Sequence, residues 1–436
     1  MTAQTLPRAG AADSAVGVGG THVLIIGRCG EMPTALWSAV AGMTTSVLTT
    51  PDELPNLIGV GEHEVVSVLD LASPHETWIR MAHAVDAVRQ ITAVVAFADE
   101  WMYIAAAVRE ALGLPGTSWE TVRLAYEKNE WRTRLREREV EDIGSEVVAS
   151  PSDIVAFANR REWPVVVKPV RGGGSAGVTL LGSGAGAAEA WQIAHERGMS
   201  DDGPVLVEIY MAGQHLDVGA FAEAGEIVIV SKVDIQFRPP GMAYMSYRAP
   251  VQLTPETERT VDEHVLAALR AIGLRDGPAT VEVRLTDAGP RTIECQLRLD
   301  GGAIPWVLHK LSGLDLATLW ARQLAGVKVM PKLRRALNRP MPANIAIACW
   351  VAAPNTSGEL VSIDGIEDAL ATPGVIEHRI LRPPGSPVGP LRSASDMALA
   401  LFCEGATADQ VSAIGRQAIR KISFTVRTAG INGTTA

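Results

Sequence analysis

A chain of 436 residues, 47% of them hydrophobic, has enough apolar material for two or three packed lobes and too much for intrinsic disorder. Its formal charge of −10, from 39 lysines and arginines against 49 aspartates and glutamates, argues against nucleic acid or an anionic membrane as a partner. No apolar run approaches the ~20 residues of a membrane span, and the four cysteines (Cys29, Cys295, Cys349, Cys403) lie far apart, as expected of reduced thiols in a cytoplasm.

Residues 1–20 are small and polar and read as a flexible tail rather than a signal peptide. "HVLIIG" from His22 is a short buried-strand signal, and a helix-like stretch runs from Pro33 to Val40. "EVVSVLD" and "ITAVVAFADE" read as further parallel strands, with the helical "HETWIRMAHAVDAVRQ" between them. This βαβ alternation predicts an N-terminal parallel-sheet α/β domain over 21–117. A helix, "MYIAAAVREALGLPG", stops at Gly113 and Pro115. Thr117 and Glu120 then form a capping box for one long helix, "WETVRLAYEKNEWRTRLRERE". Leu124, Lys128, Trp131 and Leu135 share a stripe of it, where the lysine either snorkels to water or points a charge into a cleft.

In "VVVKPVRGGGSAGVTLL", Gly172, Gly174 and Gly177 satisfy G-x-G-x-x-G. The segment that follows, Val178 to Leu181, is β-branched and apolar, so the pattern is strand–loop–strand and not a Rossmann turn. Val178 stands where a P-loop needs lysine. What remains is a strand ending at Lys168, a mobile glycine loop and a return strand. Such a loop can close its N–H groups over phosphates while the lysine neutralises them; the alternative is a flexible surface hairpin.

After a helix come the strands "VLVEIYMAG" and "EIVIVSKVDIQF", then the helix "ETERTVDEHVLAALRAIGL". Two half-polar strands follow, "VEVRL" and "IECQLRL", joined by Asp287-Ala288-Gly289. A three-residue loop pairs Thr286 with Pro290 and brings Glu282 opposite Glu294. Two facing carboxylates repel, so a cation between them is expected, and Mg²⁺ takes one or two carboxylates beside nucleotide phosphates. Arg298 continues the same face, suited to a transferring phosphoryl group. The competing reading is a solvated face in which Arg284 or Arg298 pairs with the glutamates. Beyond residue 333 short strands and turns predict a small α+β piece.

Taken in order, these elements resemble the ATP-grasp superfamily of carboxylate–amine ligases, over residues 97–330. The resemblance implies a two-lobed ATP-grasp domain (118–333) with nucleotide between the lobes and a C-terminal α+β subdomain (334–436) like that of the L-amino acid ligase branch. It assigns ATP to Lys128, Lys168, the loop residues Gly172, Gly173, Gly174, Ser175 and Gly177, and the hinge residues Glu208, Ile209 and Tyr210. It assigns Mg²⁺ to Glu282, Glu294 and Gln296. The catalytic set it implies is Arg298 and Lys168, with Gly301 and Gly302 bordering the acceptor pocket. Two positions depart from the family pattern: His215 replaces a ribose-binding glutamate, with Asp217 close by, and Gln296 replaces an asparagine. The resemblance implies a cytoplasmic homodimer that activates a small carboxylate as an acyl phosphate and couples it to the amine of an amino acid, releasing ADP. Two alternatives stay open, a biotin-carboxylase-like carboxylase and a catalytically degenerate nucleotide-binding regulator.

Overall fold

The computed structural model describes residues 16–17, 20–30, 32–198, 203–237, 243–339, 342 and 344–428. The predicted tail lies outside the described residues, apart from Val16, Gly17 and Gly20. The chain divides into two compact units, Met1–Pro115 with Ala317–Val329, and Gly116–Leu316 with Met330–Ala436. Among the described residues no helix is long and apolar enough to cross a membrane, and all four cysteines are buried and free.

The first unit is built on a parallel sheet in the order Val66–Val68, Thr44–Thr49, His22–Ile26, Ala93–Val95. The α/β expectation therefore holds, with one addition. Thr44–Thr49 is a strand that its threonines and serine had disguised. Ser46 is buried there because its hydroxyl meets Nε2 of buried His22 at 2.9 Å.

The second unit contains three antiparallel sheets, a three-stranded one in the C-terminal region and two larger ones. The smaller of these two runs Ser145–Val148, Val205–Ile209, Val165–Pro169, Thr179–Leu181. Val165, Val167, Val205 and Val207 pack on Ile154, Phe157, Ala190 and Ala194 of two covering helices. Strand alternation then turns Lys168 and Glu208 to the opposite face. The larger sheet has eight strands, in the order Gly289–Gln296, Gly277–Thr286, Gln214–Glu223, Glu226–Phe237, Tyr244–Ala249, Ala346–Ala352, Leu399–Gly405, Val375–Ile380. Its last three strands come from the C-terminal region, so that region shares the large sheet and adds its own three-stranded sheet beside it.

Two local expectations are corrected. The long helix is two helices, Trp119–Tyr126 and Lys128–Glu137, broken where Glu127 is extended (φ −85°, ψ 103°). Its cap is Ser118, whose Oγ accepts from Thr121 N at 3.1 Å, while Thr117 donates to the Asp276 carbonyl. The carboxylate hairpin also turns more tightly than its sequence implied. Thr286 pairs with Gly289, not Pro290, and a bulge between Glu282 and Val283 absorbs Ile293. That extra residue restores Glu282 to its place opposite Glu294.

Candidate active site

The break before Lys128 gives this lysine its role. As the first residue of a helix it is only 6% exposed, and its Nζ donates to Gly172 O at 2.8 Å and meets Glu294 Oε2 at 3.0 Å. It thus joins the glycine loop to the carboxylate hairpin. The loop bends through positive φ at Gly174 (61°), Ser175 (64°) and Gly177 (75°), a conformation glycine tolerates far better than serine. Gly174 O accepts from Ala394 N of the C-terminal region at 2.9 Å.

Below the loop lies a cavity of about 690 Å³, part of it open to solvent. The two larger sheets of the second unit both line it. Lys128, Lys168, Gly172, Gly173, Ser175, Glu208, Ile209, Tyr210, His215, Glu282 and Glu294 all face it. Of the residues singled out from sequence, Gly174 and Gly177 belong to the loop but not to this lining, and Gln296, Arg298, Gly301 and Gly302 lie outside it, further along the hairpin strand and beyond it.

Lys168 is buried and ion-paired with Glu208, which lies diagonally across the ladder from it. Glu208 also accepts from Arg132 Nε at 3.1 Å. Burial alone would raise the Glu208 pKa, yet Arg132 and Lys168 outweigh it and pull it down to about 2. For Lys168, burial lowers the pKa, Arg132 and Lys128 add to the effect, and Glu208 opposes it. Glu208 therefore both positions Lys168 and opposes the burial that lowers its pKa.

Arg132 is a residue the sequence reading missed. It is buried and donates to Glu141 Oε1 (3.1 Å), Thr292 O (2.7 Å) and Ile293 O (3.2 Å) as well as to Glu208. Glu141 in turn accepts from Thr292 and contacts His264 Nε2 at 3.0 Å. One guanidinium thereby ties the Val205–Ile209 strand to the carboxylate hairpin. The available signal was its spacing: Lys128 and Arg132 are one helical turn apart, on the stripe that ends at Leu135.

Asp217, Glu282 and Glu294 occupy one row across three neighbouring strands. Gln296 Nε2 donates to Glu294 at 2.7 Å and to Glu282 at 3.2 Å. Burial favours a raised pKa for Glu282, but His215 and Gln296 overcome it and hold Glu282 at about 2. Glu294 moves upward, through burial and, against Lys128, through Glu282. The donor set fits a hard divalent cation, since two opposed carboxylates face one gap. Gln296 would join as a ligand only with its amide turned, because its nitrogen, not its oxygen, meets the carboxylates. His215 Nε2 lies 3.3 Å from Asp217 and 3.5 Å from Glu282, and the ligand atoms of these three residues fall within 4.8 Å of one another. Asp300 completes the acidic face, pushed up to about 7 by burial and then by Asp217.

A family model for the ATP-grasp domain matches residues 161–305, and one for the L-amino acid ligase C-terminal domain 2 matches residues 350–427. Similar proteins include y4rH of Sinorhizobium fredii, an uncharacterised protein 29% identical over 302 residues. Carnosine synthase 1 of Homo sapiens is 27% identical over 277 residues. The matches cover 68% and 58% of this chain but only 60% and 33% of those relatives. Among solved structures, L-amino acid ligase from Bacillus licheniformis superposes with a TM-score of 0.78 at 18% identity, covering 94% of this chain and 100% of that one. The chain thus carries an ATP-grasp domain over residues 161–305 and, over residues 350–427, a region that matches the C-terminal domain 2 of L-amino acid ligases.

Proposed function

We propose that the protein is an ATP-dependent ligase that joins a small carboxylic acid or amino acid to the amine of an amino acid. The observation that carries this is the convergence, in one cavity, of two buried lysines, a glycine loop and two directly opposed carboxylates. Such a set aims at the terminal phosphates of a nucleoside triphosphate. At the hinge the N–H groups of Ile209 and Tyr210 donate to Gly144 O and Pro164 O and the Glu208 carboxylate is taken up by Lys168 and Arg132, so adenine would meet backbone carbonyls there. His215 Nδ1 has no partner among the described residues and is the group available for the ribose hydroxyls.

Glu282 and Glu294, with Gln296, would hold Mg²⁺, which when bound screens the charge of the nucleotide's phosphates. Lys128 and Lys168 add fixed positive charge, and the loop N–H groups close over the γ-phosphoryl group. A carboxylate oxygen attacks the γ-phosphorus and the bond to ADP breaks, giving an acyl phosphate. The amine then forms the C–N bond as the C–O bond to phosphate breaks. Arg298 supplies charge to the oxygens of that acyl phosphate. The name of one relative, carnosine synthase, and that of a structural neighbour, L-amino acid ligase, support a dipeptide-like product.

A phosphate-release screen over pairs of amino acids and small acids tests the proposal. Substrate-dependent release with ADP as the nucleotide product is expected; AMP and pyrophosphate would overturn the acyl-phosphate route.

A further inference from the structure

One row beyond the three carboxylates, the same face of the large sheet carries a second cluster. Gly219 is the ladder partner of Ser231 on one side and of Thr280 on the other. A Cβ placed on Gly219 would stand 2.2 Å from Ser231 Oγ and 3.3 Å from Asp300 Oδ2. Only glycine leaves that space to the two oxygens. Asp300 is half-buried, sits next to Gly301 in sequence, and has Thr280, Arg298 and Asp217 around its carboxyl group. Ser231 is 7% exposed, yet its hydroxyl has no hydrogen-bond partner among the described residues.

A buried hydroxyl without a partner is unfavourable in the protein alone and points to a ligand that completes it. The oxygens of Asp300, Ser231 and Thr280 offer acceptors, one of them charged. An ammonium group has three N–H donors and no acceptor, so it matches this set. Mg²⁺ fits it less well, because two of the three oxygens are neutral hydroxyls. The cluster also lies on the correct side of the chemistry. Arg298 Nη1 would stand 3.7 Å from a Cβ on Gly301, immediately after Asp300.

We propose that Asp300, with Ser231 and Thr280 around Gly219, binds the ammonium group of the amine substrate and holds it beside the acyl phosphate. This rests on the ligase reading above and deepens it. The second substrate is a primary amine recognised in its protonated form with Asp300 as its charge partner; the ammonium passes one proton to the Asp300 carboxylate before the neutral amine forms the C–N bond and phosphate leaves.

The test compares two nucleophiles in the full-length enzyme with ATP, Mg²⁺ and the carboxylate found by the screen. One is the amino acid acceptor; the other is hydroxylamine, a largely neutral nucleophile that traps acyl phosphates as hydroxamates. Asp300→Asn keeps the shape and removes the charge. It should raise KM for the amino acid at least ~10-fold, the loss of one charge-assisted hydrogen bond, and change hydroxamate formation less than about twofold. Ser231→Ala should act in the same direction, roughly threefold, which guards against a folding defect special to Asp300. Equal losses with both nucleophiles, or an unchanged amino acid KM, would overturn the assignment. A wild-type enzyme that forms no hydroxamate from any carboxylate would instead remove the ligase reading, and this proposal with it.

Discussion

Arg132 offers the sharpest test of how the cleft is held together, because its removal strands two buried carboxylates at once. Arg132→Met retains most of the apolar stem and deletes the guanidinium. Glu208 then keeps only Lys168 as an ion partner, and Glu141 keeps His264 and Thr292. Taking one partner from a buried pair costs about 3–5 kcal/mol. The protonation behaviour of Glu208 gives an independent figure. A carboxyl held at about 2 instead of 4.5 contributes about 3 kcal/mol, shared between Arg132 and Lys168. Its sign follows from the depressed pKa: the contribution is full above pH 4.5 and is lost as pH falls toward 2. Urea unfolding followed by tryptophan fluorescence should therefore show the variant destabilised by about 3 kcal/mol near neutrality. The gap from wild type should narrow as pH is lowered below 4.5. A loss under ~1 kcal/mol, the value of an exposed ion pair, would refute the structural role assigned to Arg132. So would a gap that does not change with pH.

Three further perturbations address the chemistry. Glu294→Ala should reduce Mg²⁺-dependent turnover by at least ~10²-fold in a protein that still folds, because relief of repulsion with Glu282 offsets part of the lost Lys128 ion pair; normal turnover at unchanged Mg²⁺ dependence would mark the hairpin as a plain solvated face. Arg298→Met should lower kcat by ~10²–10³ while ATP affinity by calorimetry stays within about threefold, and collapse of ATP binding would make Arg298 a nucleotide anchor instead. Gly174→Ala puts a Cβ at φ +61°, 3.1 Å from the Ala394 side chain, so about 1–2 kcal/mol of strain should raise the KM for ATP at least fivefold in steady-state kinetics; an unchanged KM would mean that catalysis does not need this loop conformation.

What could be read from sequence was the chemistry of the cleft more than its scaffold. The opposition of Glu282 and Glu294 was legible, although the route to it was not. The turn is one residue tighter than expected and the bulge at Ile293 compensates. Bulges leave no composition signal, so only the final pairing could be inferred. The Gln214–Glu223 strand was missed although Leu216 and Val218 alternate with His215 and Asp217, because the small residues Gly219, Ala220 and Ala222 then blur the period-two pattern. The polar residues His215 and Asp217 stand there because their face serves a ligand. The break at Glu127 has neither glycine nor proline to announce it, and helix propensity favours continuity. Tertiary contacts decide the matter: Lys128 N bonds to Val170 O, and its side chain is drawn to Gly172 and Glu294.

The cleft's charges are matched in pairs within the protein, Lys128 with Glu294 and Lys168 with Glu208. Each pair joins a group suited to phosphate with a carboxylate, and desolvation makes each side costly to leave alone. A nucleoside triphosphate arriving with a divalent cation supplies both kinds of partner at once: phosphate oxygens for Lys128 and Lys168, and a metal for Glu294. The exchange conserves the number of compensated charges, so neither ligand need bind against a bare buried ion. Nucleotide without metal would take Lys128 from Glu294 and leave that carboxylate facing Glu282 uncompensated. Binding of ATP and of Mg²⁺ should therefore be mutually reinforcing, with the same coupling factor read from either titration. Glu294→Ala removes the carboxylate that creates the coupling. In that variant, ATP affinity measured by calorimetry should no longer depend on Mg²⁺ beyond the metal's own association with the nucleotide. Retention of the full coupling would show that Lys128 and Glu294 do not exchange partners when nucleotide binds.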